Sequence, residues 1–332
     1  MEIIAKENLV VSSRVRLARN LEGLPFKTTQ KGAFDALADT IVQNNRGFKR
    51  VSTNMLSNEM AQGLFEQHLI SREFLENKSN GIIVTSEDNK AVIMLGEEDH
   101  VRIQSIQIGF DLDKAHNLAK KISNDLSNEH KIAWRGDFGF LTSCPTNIGA
   151  GMRASVMLFL PALTITGQIN AIAGQLSNQH ITVRGVYGEG SSAGGYMYQI
   201  SNQACFGKTE AQIMNMVKGV VEQIIVLEQK AQMGIYKRDP DAIIDGVLRA
   251  WGILTNAYMI SSAEAVDHLA MLKLGSCLGI LQFKNPHILD DLFFLIQPNT
   301  IVSADNRATA ILERDKIRAR RVAEKLGQNR VK

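Results

Sequence analysis

The stretch 141–158, LTSCPTNIGAGMRASVML, decides how the rest of the chain is interpreted. The proline after Cys144 disfavours helix at that cysteine. Gly149 and Gly151 allow the backbone to take positive φ or to approach a ligand closely, and Arg153 then enters an apolar run typical of a strand. We expect a loop that presents a thiol, backbone N–H groups and one arginine at a strand edge. A tight turn before a buried strand is the alternative that these residues alone leave open.

The composition excludes several classes of protein. The chain has 332 residues, of which 45% are hydrophobic, enough for a large core in one domain or two. Its 37 basic and 34 acidic residues are interspersed, which does not favour bulk nucleic-acid binding. Three scattered cysteines are too few for a disulfide framework or a zinc site, and they fit a reducing cytoplasm. No segment resembles a signal peptide or a membrane span, so we expect a cytoplasmic protein without membrane association.

Alternating and uninterrupted apolar runs predict antiparallel strands in the first part of the chain. The predicted strands are 8–17, 81–86, 91–96, 101–108, 153–160, 181–187 and 196–202. Neither GxGxxG after a strand nor GxxxxGK[ST] occurs, which disfavours a parallel nucleotide-binding sheet.

Apolar residues at helical spacing predict the helices. They lie within 30–75 and over 111–128, 161–176 and 209–234, with four more within 241–328. The Asp-Pro-Asp sequence at 239–241 breaks this pattern, so we predict one domain over 1–238 and a second over 239–332. The predicted fold class is α+β, an antiparallel β-sheet flanked by helices, followed by an all-helical C-terminal domain.

Five arginines lie on or beside predicted strands: Arg14, Arg16, Arg102, Arg153 and Arg184. A single arginine on a strand is usually a solvated residue of the outer face. Five that converge would require an anion, because each guanidinium presents a planar fork that grips phosphate oxygens. Such a group could hold a triphosphate without a P-loop and stabilise a transferring phosphoryl group.

Two acidic segments accompany the arginines. The sequence 97–100, EEDH, ends a predicted strand, and the loop 188–195, GEGSSAGG, carries Glu189 between two strands. A charged turn and a simple hairpin loop are the alternatives. If the loop acts as a lid, it delivers one glutamate on closure, and two carboxylates facing one cationic substrate would suit a guanidinium.

Four motifs together identify a family resemblance. SSRVRLARN (12–20), EEDHVRIQ (97–104), LTSCPTNIGAGMRAS (141–155) and VRGVYGEGS (183–191) resemble, in the same order, those of the phosphagen kinases, the superfamily of creatine and arginine kinases. The chain is most similar to the McsB family of bacterial protein-arginine kinases. It lacks the separate N-terminal helical domain of kinases that act on free guanidino compounds, its loop reads YGEGS, and it has a helical C-terminal extension.

The resemblance implies a phosphagen kinase/glutamine synthetase-like catalytic domain over 1–238, with ATP and Mg²⁺ carried by ATP. Glu98 and Glu189 would engage the substrate guanidinium, and Cys144 would lie near it in a positioning role. The implied ATP site consists of Ser12, Ser13, Arg14, Val15, Arg16, His68, Arg102, Arg153, Ala154, Ser155, Val156, Met157, Arg184, Gly185, Val186, Tyr187, Gly188 and Glu189.

The sequence RDKIRA at 314–319 matches the RDxxRA motif of the phosphoarginine-binding pocket of McsB proteins. The implied allosteric residues are Arg314, Asp315, Arg318 and Ala319. The helical spacing itself places Asp315 on an apolar stripe. That stripe consists of Ala308, Ile311, Leu312, Asp315, Ala319, Val322, Ala323 and Leu326. An aspartate that orients arginines or receives a guanidinium would explain this placement, and a solvated basic helix is the alternative.

The expected function is therefore transfer of the ATP γ-phosphate to arginine side chains of proteins, linked to stress response and to proteolysis. Kinase activity on free arginine and a non-catalytic phosphoarginine-binding adaptor are the alternatives. The resemblance suggests a homodimer, protein substrates that include a stress repressor, a zinc-binding activator protein and a Clp-type protease.

The chain departs from the family pattern at three places. Phe159 stands where relatives usually carry histidine, Ala150 where threonine is usual, and SSAGG where McsB relatives more often read SEALG. None of these changes removes a proposed arginine or glutamate, so we expect an active enzyme.

Overall fold

The computed structural model describes residues 6–26, 32–76, 81–187, 194–305 and 310–331. The strands within these ranges are β1 (Val10–Arg19), β2 (Phe48–Ser52), β3 (Ile82–Ser86), β4 (Ala91–Leu95), β5 (Val101–Ile108), β6 (Trp134–Arg135), β7 (Gly139–Phe140), β8 (Met152–Phe159), β9 (Ile181–Tyr187) and β10 (Gly194–Asn202). The helices are α1 (Lys6–Leu9), α2 (Asp35–Asn44), α3 (Asn58–Glu66), α4 (Arg72–Glu76), α5 (Leu112–Glu129), α6 (Pro161–Ile165), α7 (Ile169–Ser177), α8 (Glu210–Arg238), α9 (Pro240–Asn256), α10 (Ser262–Cys277), α11 (Ile288–Leu295), α12 (Pro298–Ala304) and α13 (Ile311–Asn329).

One antiparallel sheet, whose strands do not follow the order of the sequence, forms the centre of the molecule. Its described strands follow the order β2-β3-β4-β5-β1-β8-β10-β9, and each neighbouring pair is antiparallel. β1 lies between β5 and β8, so it contacts strands from two later parts of the chain. The predicted α+β class with an antiparallel sheet is confirmed.

The two faces of the sheet differ because side chains alternate along a strand. On β1, Val15, Leu17 and Arg19 face the helices α5 and α8, and Val15 and Leu17 join the main hydrophobic core. Arg14 and Arg16 point to the opposite face and are only half-buried. One face of the sheet is therefore core, and the other carries the charged residues.

The structure corrects two details of the predicted elements in the first part of the chain. Residues 48–52, expected to be helical, form the edge strand β2 instead. Lys49, Arg50 and Val51 are exposed to solvent, so burial imposes no apolar pattern on this segment of the sequence. The helix expected over 161–176 is divided into α6 and α7, because Gly167 between them adopts a φ of +72° that a helix does not allow.

The C-terminal helices pack onto the sheet instead of standing apart. The helical break is confirmed, since α8 ends at Arg238 and Asp239 caps α9 through a 3.1 Å hydrogen bond from the Ala242 N–H. Five helices follow in the described residues where four were expected. Apolar residues of α9, α10, α11 and α13 belong to the same buried cluster as the sheet. The division into two domains stays a prediction.

Glu66 ties α3 to the C-terminal helices. Its carboxylate accepts hydrogen bonds from the backbone N–H groups of Asn299 (3.1 Å) and Thr300 (2.7 Å). It also accepts from the Asn299 amide (2.7 Å) and the Thr300 hydroxyl (3.2 Å). Because these groups lie in the first turn of α12, Glu66 satisfies unpaired donors at a helix N-terminus and complements its dipole. None of the helices that the structure describes is long and apolar enough to cross a membrane.

Replacement of Glu66 by alanine should therefore destabilise the protein. We expect a loss of about 1–2 kcal/mol in the free energy of unfolding, typical of a lost helix cap, measured by urea denaturation. The control is Glu76→Ala, which removes an exposed carboxylate that pairs with Arg72 at 3.1 Å and should cost about 0.5 kcal/mol or less. Equal losses in the two variants would contradict the capping role.

Candidate active site

The loop before β8 is held against β1 by its glycines. Gly149 and Gly151 take φ values of +108° and +56°, and a Cβ at Gly151 would lie 2.8 Å from the carbonyl oxygen of Ala18. The segment Pro145–Asn147 forms a short 3₁₀ turn that follows Cys144. The prediction of a pinned loop is confirmed, and positive φ at both glycines explains why other residues do not suit these positions.

All five predicted arginines line one cavity of about 340 Å³ on the charged face of the sheet. Arg16 of β1 stands directly opposite Arg153 of β8, and Arg184 of β9 stands opposite Gln199 of β10. Arg14 and Arg102 complete the group. Adjacent antiparallel strands thus bring together arginines that lie up to 170 residues apart in the sequence.

These arginines are crowded by their own positive charge. Burial, followed by the charges of Arg102 and Arg153, lowers the pKa of Arg14 to about 9. Burial and the surrounding arginines also hold the pKa of Arg16 well below its usual range, although Glu97 opposes the shift. The Nε atom of Arg16 is buried without a hydrogen-bond partner among the described residues. A buried donor and several uncompensated cations favour a bound anion with several oxygen atoms.

Neutral side chains hold the arginines in place. Arg14 donates to Gln199 Oε1 at 2.9 Å, and Arg153 donates to the hydroxyl of Ser201 at 2.9 Å. Arg102 is the exception, because it pairs with Glu97, which also accepts a hydrogen bond from Ser71. The forks of Arg14 and Arg153 are oriented without being neutralised, so they keep their charge for a ligand.

One end of the cavity is acidic. Glu98 lies there beside Cys144, whose Sγ is 3.1 Å from Thr146 Oγ1. Asp99 joins the two segments, since its Oδ1 accepts 2.7 Å hydrogen bonds from the Ser143 N–H and from the Asn20 amide. The Ser143 hydroxyl also donates to the Glu98 carbonyl at 2.7 Å. Burial, then the charges of Asp99 and Glu97, raise the pKa of Glu98. A half-buried carboxylate with a raised pKa is suited to accept a proton.

A second cavity of about 300 Å³ adjoins the first. Arg14, His68 and Gln199 line both cavities, and Ser12, Ser155 and Met157 line the second. Its far wall belongs to the C-terminal helices: His287, Asp290, Asp291 and Phe294. The His68 ring meets Phe294 edge-on with centroids 5.7 Å apart. Burial and the nearby Arg14 lower the pKa of His68 to about 4, so this imidazole is neutral at pH 7.

The geometry divides the predicted ATP-site residues into two groups. Ser13, Val15, Ala154 and Val156 line neither cavity, because alternate residues of a strand face opposite sides of the sheet. The side chains of these four residues therefore do not face the cavities. The Ser13 hydroxyl, for example, donates to the carbonyl of Gly109 at 2.8 Å. Gly185 and Val186 lie on β9 but also line neither cavity, and Tyr187 ends that strand. Gly188 and Glu189 lie outside the described residues.

Family models match nearly the whole chain. The model described as ATP:guanido phosphotransferase, C-terminal catalytic domain, matches residues 29–231. The chain belongs to the ATP:guanido phosphotransferase family. A second model, described as Protein-arginine kinase McsB C-terminal domain, matches residues 240–332.

Full-length relatives support the same family. A protein-arginine kinase of Caldanaerobacter subterraneus subsp. tengcongensis is 39% identical over 334 residues, covering 97% of this chain and 98% of the relative. One of Bacillus subtilis is 36% identical over 330 residues, covering 97% and 91%.

Solved structures agree on the fold of this guanido phosphotransferase. The substrate-free duplicated taurocyamine kinase from Schistosoma mansoni matches with a TM-score of 0.57 and 27% identity, over 69% of this chain and 34% of that one. Lombricine kinase matches with a TM-score of 0.59 and 22% identity, over 70% of each chain.

The RDxxRA motif lies far along the C-terminal helices, on α13. Arg318 is only 2% exposed, and its guanidinium donates to the carbonyls of Ile296 (2.7 Å) and Ile260 (2.8 Å) and to Asp315. Arg318 therefore fastens α13 to the ends of two other segments. Arg314 and Asp315 are half-buried, and Ala319 is buried.

The predicted apolar stripe of α13 is correct only in part. Ala319, Val322 and Leu326 are buried, but Ile311 and Leu312 in the first turn are exposed, because nothing described packs over that end of the helix. Ala308 lies outside the described residues.

Phe159, the first of the expected departures from the family pattern, is fully buried at the end of β8. Its ring meets Tyr196 edge-on at 6.4 Å, and the ammonium of Lys273 lies 5.6 Å from its centroid. Lys273 is itself buried in an ion pair with Asp290 at 2.6 Å. The substitution therefore concerns packing between β8 and α10.

Several site residues were not predicted individually. Gln199 and Ser201 orient arginines, and Asp99, Asn20 and Ser143 hold the acidic end together. Asn20 and Asp99 stand inside the motifs quoted from the sequence, which was an available signal. The sequence offers no such signal for Gln199 and Ser201 beyond their alternating positions on β10. In the sheet, Gln199 stands opposite Arg184 of β9 and Ser201 stands opposite Ser155 of β8.

Asp99→Asn should move the acidic limb of the pH profile of phosphotransfer. The amide oxygen can still accept from Ser143 and Asn20, but the negative charge beside Glu98 is lost, so the pKa of Glu98 falls. If Glu98 is the group that accepts the proton, its deprotonated carboxylate is the active form, and the limb of kcat/KM should shift to lower pH. Asp113→Asn, which changes an exposed residue paired with Lys218, is the control and should leave the limb in place. A shift to higher pH in the first variant would contradict the assignment.

Proposed function

We propose that this protein is a protein-arginine kinase that transfers the γ-phosphate of ATP to arginine side chains of proteins. The observation that carries the proposal is a single cavity with five arginines along its walls and Glu98 at one end. The arginines suit the phosphates, and the carboxylate suits a guanidinium. The protein-arginine kinases that align with nearly the whole chain support the choice of a protein substrate, as does the matching C-terminal family model.

ATP would extend across both cavities. The triphosphate lies among Arg14, Arg16, Arg102, Arg153 and Arg184, and the base lies in the less polar second cavity, against Met157 and Phe294. Arg14 belongs to both cavities and would contact the phosphate nearest the ribose. MgATP is the expected nucleotide, with the Mg²⁺ carried by its phosphates.

Phosphoryl transfer would be direct. A guanidinium nitrogen attacks the γ-phosphorus, the bond to the β–γ bridging oxygen breaks, and ADP leaves with that electron pair. Glu98 aligns the guanidinium and takes the proton that the attacking nitrogen releases, and Glu189 is the proposed second carboxylate. Cys144 positions the substrate without forming a covalent bond. The arginines stabilise charge on the transferring group.

The C-terminal motif has a proposed regulatory role. Arg318 is engaged by two backbone carbonyls and Asp315, so it would act as the scaffold of a phosphoarginine pocket. Arg314, half-buried one turn earlier, is the residue that we propose contacts the phosphate, beside Asp315 and Ala319. Family membership further suggests a cytoplasmic homodimer that works with a zinc-binding activator and a Clp-type protease in a stress response.

The direct test is incubation of the protein with MgATP and an unfolded arginine-rich protein, followed by detection of acid-labile phosphate. Phosphate on the protein supports the proposal. Phosphate on free arginine alone would favour a small-molecule kinase, and phosphoarginine binding without any transfer would favour an adaptor.

Glu98→Gln should lower transfer by roughly 10²–10⁴-fold, because the base and the guanidinium contact are lost together. ATP affinity should change little, since a carboxylate repels phosphate oxygens and is not expected to bind them. The exposed residue Glu76, changed to Gln, is the control. Activity within a factor of three of wild type in Glu98→Gln would remove Glu98 from the mechanism.

Arg16→Ala should weaken ATP binding by about 10–100-fold, the loss expected for charge-assisted hydrogen bonds in a partly buried site. Isothermal titration calorimetry with ATP measures the effect, and circular dichroism verifies the fold. Arg249→Ala, on the exposed face of α9, removes the same charge and should leave the affinity unchanged. Equal losses in both variants would indicate a net-charge effect instead of a phosphate contact.

A further inference from the structure

Three exposed aromatic residues lie beside the loop before β8, which carries Cys144. Trp134 (59% exposed) and Phe138 (40%) belong to the β6–β7 hairpin, and Phe206 (58%) belongs to the segment between β10 and α8. The rings of Phe138 and Phe206 lie 6.2 Å apart. Scattered exposed apolar residues are ordinary, but aromatic residues brought to one place from two segments indicate a binding surface. We call these three residues the aromatic rim.

The aromatic rim is fixed to the loop that carries Cys144. The Phe140 N–H donates to the Gly149 carbonyl at 2.8 Å, and the Gly149 N–H donates back at 3.3 Å. A Cβ at Gly139 would lie 2.5 Å from the Gly149 oxygen, so the hairpin approaches the loop as closely as glycine permits. The other segment is joined as well, since the Cys205 N–H donates to the Thr146 carbonyl at 3.1 Å. The rim therefore has a fixed place next to the acidic end of the cavity.

The rim is suited to apolar contact more than to ionic contact. Arg135 and Asp137, which lie in the same hairpin as Trp134 and Phe138, pair with each other at 2.6 Å, and the Arg135 guanidinium lies 4.9 Å from the centre of the Phe138 ring. The pair leaves little net charge to attract a ligand. Large rigid aromatic side chains bind apolar groups with little loss of conformational entropy.

The position of the cavity dictates what lies over the rim. An extended arginine side chain spans roughly 7 Å from Cα to guanidinium, so the backbone of a protein substrate stays at the mouth when its guanidinium reaches Glu98. Successive residues of an extended chain advance about 3.3 Å, so residues one to three positions from the arginine cross the surroundings of the mouth. Cys144 and Thr146 line the same cavity as Glu98, and the Thr146 carbonyl is hydrogen-bonded to the segment that carries Phe206.

We propose that the aromatic rim binds apolar side chains that flank the target arginine in an extended polypeptide. The inference rests on the proposed function and adds a docking surface for the residues on either side of the target arginine.

Two peptides with one arginine each test this proposal. In one, leucine and phenylalanine flank the arginine, and in the other serine and glycine do. The wild-type protein should show a KM about tenfold lower for the apolar peptide, with similar kcat. The triple variant Trp134→Ser, Phe138→Ser, Phe206→Ser should lose this preference by raising the KM for the apolar peptide only, with the KM for ATP unchanged.

Two further variants serve as controls. Phe206→Leu keeps an apolar side chain and should retain most of the preference. Leu248→Ser removes an exposed apolar residue on α9, and it should leave both KM values unchanged.

Three results would overturn the proposal. A wild-type protein that phosphorylates both peptides with equal KM refutes the rim but leaves the proposed function intact. Transfer to neither peptide nor protein refutes the proposed function and the rim with it. Unchanged KM values together with an altered sedimentation coefficient in the triple variant would make the rim a contact between copies of this chain.

Discussion

Mutual repulsion among buried guanidinium groups is the constraint on which the rest of the structure depends. Burial and neighbouring arginines depress the pKa values of Arg14, Arg16 and Arg153, and of these arginines only Arg16 has a carboxylate close enough to oppose the shift. Such a group is costly unless an anion compensates it. The fold accommodates the cost by placing each arginine on a sheet strand, where the backbone cannot relax away. Phosphates bound there, as proposed, would offset the burial and the mutual repulsion of these cations.

The acidic end of the cavity is held together by the hydrogen bonds of one carboxylate, that of Asp99. Asp99 accepts hydrogen bonds from both Asn20 and Ser143, so β1, the end of β4 and the catalytic loop meet on one carboxylate. His100 extends this junction, since its Nδ1 accepts from the Leu21 N–H at 3.0 Å and its Nε2 donates to the Pro25 carbonyl at 2.8 Å. Glu98, held between these bonded neighbours, does not need a partner of its own. Its position is thus fixed by the backbone, which leaves the carboxylate for a substrate.

The sequence was sufficient to predict seven of the eight described strands of the central sheet, because alternation with period two contains that information. It left the convergence of the arginines open, because that depends on which strands become neighbours. It was not sufficient for Gln199 and Ser201, whose role depends on which strands become neighbours, or for the α11 wall, which depends on how distant helices pack. β2 was missed because Lys49, Arg50 and Val51 lie on a solvent-exposed edge. Arg318 was expected to be part of a ligand pocket, and the structure adds that most of its bonds go to the protein backbone.

The wall that α11 contributes to the second cavity has a consequence for the synthesis of the protein. Val11 and Ser12 at one side of that cavity leave the ribosome long before Phe294 at the other side. β1 also cannot complete its interstrand hydrogen bonds until β5 and β8 have been synthesised, because it pairs with both of them. A nascent chain that already displays all five arginines still lacks the surface against which a nucleotide base would lie. If the nucleotide binds as proposed, competence to bind it is gained only once α11 has been synthesised, and a chain truncated before α11 does not acquire it.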